Sequence, residues 1–313
     1  MNIVMLEPLQ ISNELLSVLT GPLNKAGHVV VPCHKPLSLA EKKERIREAD
    51  ILLIANAPLT GEILQEARQL KYISVAFTGT DHVDKAICAE KGIKISNASG
   101  YATKDVAELT VAMMIALLRD VKAADARVRA GGTKGGLMAH RLQGKTVGIL
   151  GTGAIGLQVA RLLTAFGCRV IATSRSQRQE AREMGINYVS PDQLLAQSDI
   201  LSLHTPLTEQ TRHFLNRERI AQMKKGAFLV NCARGQVVDS VALAEALHSG
   251  HLAGAALDVF DVEPPIPAED PLLTAPNTLL TPHIAYFTEE SMEDRAAIAF
   301  DNIAKFLAGE WVR

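Results

Sequence analysis

The sequence predicts an α/β fold with two doubly wound parallel-sheet domains. Short apolar segments such as residues 50–55 alternate along the chain with helical segments, and they lack the polar alternation of a half-exposed strand. Continuous apolar strands are typical of a parallel sheet that helices cover on both faces. A chain of 313 residues is also longer than one ordinary hydrophobic core, which favours two domains.

The first hundred residues are predicted to form one complete doubly wound unit. Each apolar segment here is followed by a charged or amphipathic segment, and turn residues such as Gly27, Pro32 and Gly92 separate the two types. The predicted strands are 3–6, 29–31, 50–55, 72–77 and 93–96, and the predicted helices are 14–26, 39–49, 63–70 and 83–91.

One long helix is predicted over residues 105–129, before a glycine-rich loop at 131–136. Its first half is apolar on almost every face, and such a helix must be covered on every face. We expect it to lie between the two domains, and we expect a second copy of the chain to cover the rest. The sequence therefore predicts a homodimer.

A glycine-rich turn of the form G-x-G-x-x-G joins an apolar strand at 147–150 to the helix that follows. Gly151 permits the sharp turn, Gly153 permits close approach of a pyrophosphate, and Gly156 permits close helix–strand packing. The free N–H groups of the new helix, at Ala154 and Ile155, suit phosphate oxygens. A tight turn without a ligand is the alternative, but the strand–turn–helix context favours dinucleotide binding.

After this turn the alternation of strands and helices resumes, as expected for a second doubly wound unit. The predicted strands are 168–173, 199–203, 227–231, 254–259 and 278–281, and the predicted helices are 241–249 and 291–308.

The loop after the second strand of this unit favours NADP(H), with NAD(H) still possible. In NAD-binding folds an acidic residue at this place usually holds the adenosine ribose. Here the strand is followed by Ser174, Arg175 and Arg178, and no carboxylate occurs before Glu180. Serine and arginine can bind a 2′-phosphate that a carboxylate would repel. A solvated basic loop is the alternative interpretation.

Three later strands each end in a polar group that suits proton and hydride chemistry. Arg234 follows one strand, Glu263 follows the next, and His283 follows the last. Such strand ends line one crevice of a doubly wound sheet. There an arginine can bind a substrate carboxylate, and a histidine held by a carboxylate can exchange a proton with a carbonyl oxygen. Each residue alone has an ordinary structural explanation, so the prediction rests on the combination.

The bulk composition excludes several other classes. The chain is 47% hydrophobic and 21% charged with a net charge of −1, so no basic surface for nucleic acid is indicated. The four cysteines, at 33, 88, 168 and 232, are scattered, which favours free thiols over a disulfide framework or a metal site. We find no signal peptide and no apolar run of membrane-spanning length, and we expect a cytoplasmic protein without a membrane partner.

Over nearly its whole length the sequence resembles the D-isomer-specific 2-hydroxyacid dehydrogenase family. The resemblance is carried by blocks of residues that occur in the family's order. These blocks are 79–84, 105–108, 151–156, 204–208, 231–235, 256–260 with Glu263 and Pro264, and 282–284.

The resemblance implies a role for many of these residues. Arg234 would anchor the substrate, and His283 would be the general acid or base with Glu263 as its partner. The backbone of Phe77, Thr78 and Gly79 would face the substrate carboxylate. The cofactor would be bordered by His204, Thr205 and Pro206 on its adenosine side, by Asp258 near the nicotinamide amide, and also by Cys232 and Ala233.

The resemblance also implies the domain roles. Residues 1–99 plus 288–313 would form a flavodoxin-like substrate domain, and residues 100–287 would form a Rossmann cofactor domain. Closure of the cleft between them would exclude water from the hydride step.

Three departures refine the expected function. The cofactor loop lacks the usual acid, Val75 and Phe77 stand where phosphoglycerate dehydrogenases tend to have arginine and glycine, and the chain ends at Arg313 without room for a regulatory domain. Phe77 is expected to narrow the substrate pocket, and Tyr286 is a candidate for its wall. These features favour an NADPH-dependent reductase of the glyoxylate or hydroxypyruvate type.

Two alternatives stay open at this point. The first is an NAD-dependent D-3-phosphoglycerate or D-lactate dehydrogenase. The second, from another class, is a nucleotide-sensing scaffold or transcriptional co-repressor that uses the same fold to bind partners.

Overall fold

The structure of this protein is a computed structural model that describes residues 1–137, 139–263 and 265–310. It divides into two compact units, one formed by Met1–Ala102 with the C-terminal segment that starts at Phe287, and one formed by Thr103–Tyr286. Pro264 and Arg313, which entered the sequence analysis, lie outside the described residues.

Unit 1 is built on a five-stranded parallel sheet with the order β2-β1-β3-β4-β5. This is the flavodoxin-like strand order, so the predicted fold class of this region is confirmed. β3 and β4 are buried along their whole length, which fits the apolar sequence of β3 and the mainly apolar sequence of β4. The strands are β1 (Asn2–Met5), β2 (Val29–Val31), β3 (Ile51–Ile54), β4 (Tyr72–Val75) and β5 (Lys94–Asn97).

Helices cover this sheet, and four of those described begin with side-chain caps. The Ser12 hydroxyl accepts a hydrogen bond from the Leu15 amide, and Ser38 forms a capping box with Glu41. The hydroxyl of Ser74, on β4, donates to a carbonyl of the C-terminal helix. The helices are α1 (Asn13–Lys25), α2 (Leu39–Ile46), α3 (Gly61–Leu64), α4 (Lys85–Glu90) and the C-terminal helix (Glu289–Leu307).

The helix predicted over 63–70 is wrong in its extent, because α3 ends at Leu64. The Lys91 ammonium donates to the carbonyl oxygens of Leu64, Gln65 and Ala67, at 2.9, 3.1 and 3.1 Å. These carbonyls would accept helical hydrogen bonds if the helix continued. The Lys91 side chain, from a distant part of the chain, therefore takes the place of the helical hydrogen bonds that these carbonyl groups would otherwise accept.

Unit 2 is built on a seven-stranded parallel sheet with the order β12-β11-β10-β9-β6-β7-β8. The strand order reverses between β6 and β9, which is the switch point of a Rossmann fold and the usual place for a ligand crevice. The predicted fold class is confirmed here as well. The strands are β6 (Thr146–Leu150), β7 (Arg169–Thr173), β8 (Asn187–Tyr188), β9 (Ile200–Leu203), β10 (Ala227–Asn231), β11 (Leu252–Leu257) and β12 (Thr278–Leu280).

Several of the elements described in unit 2 were not predicted from the sequence. They include β8 and three short α-helices, each of at most seven residues, which is too short for a clear apolar period. The helices are α5 (Thr103–Leu118), α6 (Val121–Arg129), α7 (Ala154–Ala165), α8 (Gln179–Glu183), α9 (Pro191–Gln197), α10 (Arg217–Gln222) and α11 (Ser240–His248).

The prediction of a single helix over 105–129 is wrong, because the helix is interrupted between α5 and α6. Asp120 has a left-handed backbone with φ of +49°, and the Leu118 carbonyl accepts a hydrogen bond from the His140 amide. α5 packs against α7 and against β10, β11 and β12. Much of its apolar surface is therefore covered within unit 2.

We predict that Gly156→Ala destabilises unit 2. A Cβ at Gly156 would overlap with the carbonyl oxygen of Gly151, whereas a Cβ at Gly153 would meet no atom within 4 Å. Overpacking against backbone costs about 1–3 kcal/mol. Chemical denaturation should show that free-energy loss for Gly156→Ala and less than about 1 kcal/mol for the control Gly153→Ala. Equal stability of the two variants would contradict the packing argument.

Candidate active site

The glycine-rich turn leaves open space in front of α7. Gly151 has a φ of +100°, and a Cβ there would overlap with the backbone of His204 after β9. Gly153 is exposed and begins α7, and no atom lies near the place of its missing Cβ. The first amides of α7, at Ala154 and Ile155, have no acceptor within the helix because of their position. The site therefore fits a dinucleotide pyrophosphate.

The loop after β7 lies beside this turn, because the Gly151 amide donates to the Thr173 carbonyl at 2.8 Å. Ser174 is half-buried, and Arg175 and Arg178 are exposed at the surface of unit 2. The hydroxyl of Ser174 and the guanidinium groups of Arg175 and Arg178 thus belong to a loop that starts beside the glycine turn.

The segment after β9 forms the other border of the crevice. The His204 amide donates to the Leu150 carbonyl at 2.7 Å, and its Nε2 lies 2.8 Å from the Ser202 hydroxyl. Burial disfavours the charged imidazolium and lowers the pKa of His204 to about 4. The ring is therefore neutral near pH 7. Thr205 is half-buried and Pro206 is exposed on the same segment.

The turn after β10 carries Arg234 and is held by a buried asparagine. The Asn231 side chain donates to the Arg234 carbonyl at 2.9 Å and accepts from the Ala233 amide at 3.0 Å. The Cys232 thiol lies 3.7 Å from the Met113 sulfur, and burial raises its pKa to about 12. Cys232 is therefore a neutral packing group at this position.

The Arg234 turn packs tightly on the turn that follows β11. A Cβ on Gly235 would overlap with the carbonyl group of Phe260, so only glycine fits. The Gln236 side-chain amide also donates to the Asp261 carbonyl at 3.0 Å. The two turns are thereby joined, and Glu263 lies two residues beyond Asp261.

Glu263 and His283 form a direct pair. The Glu263 Oε1 lies 2.8 Å from the His283 Nδ1, and its Oε2 accepts a hydrogen bond from the Phe260 amide at 3.2 Å. The His283 ring meets Tyr286 edge-on, with 5.6 Å between the ring centroids. A carboxylate at Nδ1 selects the tautomer in which Nε2 exchanges protons. The structure thus joins these two residues as the sequence predicted.

Asp258 holds the turn that carries His283. Its fully buried carboxylate accepts from the Thr281 hydroxyl at 2.5 Å and from the amides of Ile284 and Ala285 at 2.9 and 2.8 Å. Burial raises the pKa of Asp258, and these hydrogen bonds oppose the shift. His283 itself has a left-handed φ of +55°, which is uncommon for a non-glycine residue. The carboxylate thus bonds to residues before and after His283 and holds the turn in this conformation.

No role was predicted for Asn231 or Thr281. Asn231 lies within a block that carried the resemblance and Thr281 directly precedes another, but a polar residue at a strand end does not reveal its partner. The available signal was Asn231 itself, since a buried amide after an apolar strand must be hydrogen-bonded.

The predicted substrate loop belongs to unit 1 and begins after β4. Phe77 is buried, and its ring lies against His82 and Tyr101. The Phe77 carbonyl accepts from the Ala98 amide at 3.1 Å, and the Thr78 carbonyl accepts from the Asn97 side chain at 2.7 Å. These bonds anchor the loop by its carbonyl groups.

The described part of the chain contains neither a metal-binding cluster nor a membrane-spanning helix. Among residues 1–137, 139–263 and 265–310, no group of three or more His, Cys, Asp or Glu side chains could hold a metal ion. Within the same ranges no helix is long and apolar enough to span a membrane.

The chain matches a known protein family over more than half its length. Residues 111–285 match the family described as "D-isomer specific 2-hydroxyacid dehydrogenase, NAD binding domain". The glyoxylate reductase of Korarchaeum cryptofilum is 37% identical over 274 residues, which cover 85% of this chain and 82% of that protein.

Two other relatives are informative. The D-3-phosphoglycerate dehydrogenase of Methanocaldococcus jannaschii is 40% identical over 278 residues, covering 88% of this chain, but the chain spans only 53% of that protein's length. The crystal structure of a glyoxylate reductase from Paecilomyes thermophila superposes with a TM-score of 0.88 at 30% identity, covering 99% of this chain and 97% of the other.

We predict that Asp258→Asn loosens the turn around His283. An amide offers only one acceptor oxygen and places an NH₂ donor where the carboxylate accepted a hydrogen bond. The free energy of unfolding should fall by about 1–3 kcal/mol. Amide hydrogen exchange at Ile284 and Ala285 should be faster than in the wild type. Unchanged exchange at both amides would show that Asp258 does not hold the turn.

Proposed function

Because this chain belongs to the D-isomer-specific 2-hydroxyacid dehydrogenase family, we propose that it reduces a small unphosphorylated 2-keto acid with NADPH. Glyoxylate and hydroxypyruvate are the substrates we favour. Family membership makes the protein an oxidoreductase that uses a nicotinamide cofactor. The observation that carries the proposed carbonyl reduction is the Glu263–His283 pair, 2.8 Å apart, in a unit that also holds Arg234 on an adjoining turn.

The reaction follows from the chemistry of these three residues. The Arg234 guanidinium binds the substrate carboxylate and polarises the neighbouring carbonyl. When bound, the cofactor supplies the hydride that the carbonyl carbon accepts. The His283 Nε2 gives its proton to the carbonyl oxygen, which becomes the hydroxyl of the product. The Glu263 carboxylate orients the ring and stabilises the charge of the imidazolium before transfer.

The cofactor is proposed to extend along the crevice of unit 2. The open turn from Gly151 to Gly156 suits the pyrophosphate, through the amides at the start of α7. The adenosine side lies at the segment of His204, Thr205 and Pro206, and the nicotinamide end lies near Asp258, Cys232 and Ala233. In this proposal unit 2, predicted as residues 100–287, is the cofactor domain.

NADP(H) is favoured over NAD(H) by the loop after β7. Ser174, Arg175 and Arg178 offer a hydroxyl and two exposed guanidinium groups, and no carboxylate occurs in the loop to repel a phosphate. An exposed guanidinium can bind a 2′-phosphate with charge-assisted, bidentate hydrogen bonds.

The loop at Phe77, Thr78 and Gly79 supports a small substrate. Among the described residues the amides of Thr78 and Gly79 have no acceptor, so they can bind a carboxylate. Val75 is fully buried and offers no cation for a substrate phosphate. Unit 1, predicted as residues 1–99 plus 288–313, is the substrate domain in this proposal.

A second candidate is an NAD-dependent D-3-phosphoglycerate dehydrogenase, which the 40% identity to one such enzyme favours. The homodimer also stays a prediction. Its support is the apolar composition of α5 and two exposed valines on the neighbouring α6, Val121 and Val128.

We predict a preference for NADPH that depends on the cofactor loop. Initial rates should be measured with glyoxylate, hydroxypyruvate, pyruvate and 3-phosphohydroxypyruvate, each with NADPH and NADH. The Arg175→Ala/Arg178→Ala variant should raise the KM for NADPH at least tenfold and leave that for NADH within about twofold, because only the 2′-phosphate loses partners. The control is Arg161→Ala, on the exposed part of α7.

A wild-type preference for NADH would overturn the cofactor proposal. A preference for 3-phosphohydroxypyruvate over the unphosphorylated acids would favour the second candidate.

We predict that Glu263→Gln lowers kcat by about 10²-fold, because the amide keeps a hydrogen-bond acceptor but no charge to stabilise the imidazolium. The matched control is Glu245→Gln, a carboxylate that pairs with Arg217 at the surface. An unchanged kcat would exclude Glu263 from the proton transfer.

A further inference from the structure

Two hydroxyl groups bridge the glycine turn and the loop after β7. The Arg178 amide donates to the Tyr188 hydroxyl at 2.9 Å, and that hydroxyl lies 2.8 Å from the Thr152 Oγ1. The Thr152 hydroxyl in turn donates to the Ser176 carbonyl at 3.4 Å. The chain of hydrogen bonds thus begins and ends on the same loop, residues 174–178.

The direction of this chain is set by the groups at its ends. A backbone amide can only donate, so the Tyr188 oxygen accepts from Arg178 and its single proton is left for Thr152. A carbonyl can only accept, so the Thr152 proton goes to Ser176. Each hydroxyl therefore donates once and accepts once, and loss of either oxygen breaks the bridge.

Thr152 and Tyr188 both belong to parts of unit 2 that are held by its sheet. Thr152 is 1% exposed within the glycine turn, whose neighbour Gly151 bonds to the end of β7. Tyr188 lies on β8, directly opposite Ala172 of β7. By contrast Arg175 and Arg178 are exposed, on the loop that lies between Thr152 and Tyr188 in the sequence. The bridge thus holds a solvent-exposed loop at two points, Ser176 and Arg178. Thr152, just after β6, holds the first point, and Tyr188, on β8, holds the second.

We propose that Tyr188 and Thr152 are positioning residues for recognition of the cofactor's 2′-phosphate. They hold the 174–178 loop in the shape that presents Ser174, Arg175 and Arg178 to the adenosine ribose. Neither hydroxyl needs to touch the cofactor, since both are used within the bridge. This inference rests on the proposed use of NADPH.

The test compares variants that remove one oxygen each. Tyr188→Phe keeps the ring, and Thr152→Val replaces the hydroxyl with a methyl group. Each should weaken binding of NADP⁺ about three- to tenfold, measured by isothermal titration calorimetry, and change binding of NAD⁺ less than twofold. The KM for NADPH should rise by a similar factor with kcat unchanged. Amide exchange at Arg178 should be faster in both variants.

The double variant and a matched tyrosine provide the controls. Because both oxygens belong to one bridge, the double variant Tyr188→Phe/Thr152→Val should lose no more NADP⁺ affinity than the single variant whose affinity falls further. Tyr72→Phe removes a buried hydroxyl of unit 1, next to Ser96, and should leave the ratio of the two affinities unchanged.

The outcomes separate this inference from the function it rests on. If the wild type prefers NADP⁺ and Tyr188→Phe keeps the same ratio of affinities, the bridge has no positioning role although the cofactor proposal stands. An equal loss of NADP⁺ and NAD⁺ affinity would mark the bridge as purely structural and overturn the inference. A wild type that prefers NAD⁺ overturns the cofactor proposal, and the inference with it.

Discussion

The arrangement of the candidate site depends on one buried carboxylate, that of Asp258. It directly follows β11 of unit 2 and bonds to three groups of the turn after β12. Without it, the Ile284 and Ala285 amides that follow the left-handed His283 would lose their acceptor, and a buried turn needs partners for its amides. Glu263, 2.8 Å from the His283 ring, would add the charge that the proposed proton transfer uses. Burial makes this carboxylate costly in isolation, and its three donors offset that cost.

Glycine packing joins the rest of the site to this centre. Gly235 brings the Arg234 turn against Phe260, and Gly151 brings the glycine turn against the segment of His204. In both cases a side chain would push two strand ends apart. The site is therefore assembled by close contacts between turns at one edge of the sheet, and the strands supply the fixed spacing between them.

The sequence was sufficient for the features whose signal is local. Unbroken apolar strands and the glycine turn predicted both sheets and the position of the crevice, and the block at Asn231 to Gly235 marked the Arg234 turn. The sequence was not sufficient where a contact with a distant residue determines the local conformation. The periodicity of 105–129 gives no sign that Asp120 turns left-handed, and Lys91 ends α3 from another part of the chain. The hydrogen bonds of Thr152 and Tyr188 join residues 36 positions apart, so no spacing rule finds them.

The strand order of unit 2 has an evolutionary consequence. The loop proposed to bind the adenosine end follows β7, on one side of the switch point, whereas Arg234, Glu263 and His283 follow β10, β11 and β12 on the other. Substitutions in the two groups of turns act at different ends of the proposed site, so we expect their effects to be largely additive. Under the proposed function, selection can therefore exchange one coenzyme for the other while Arg234, Glu263 and His283 are kept.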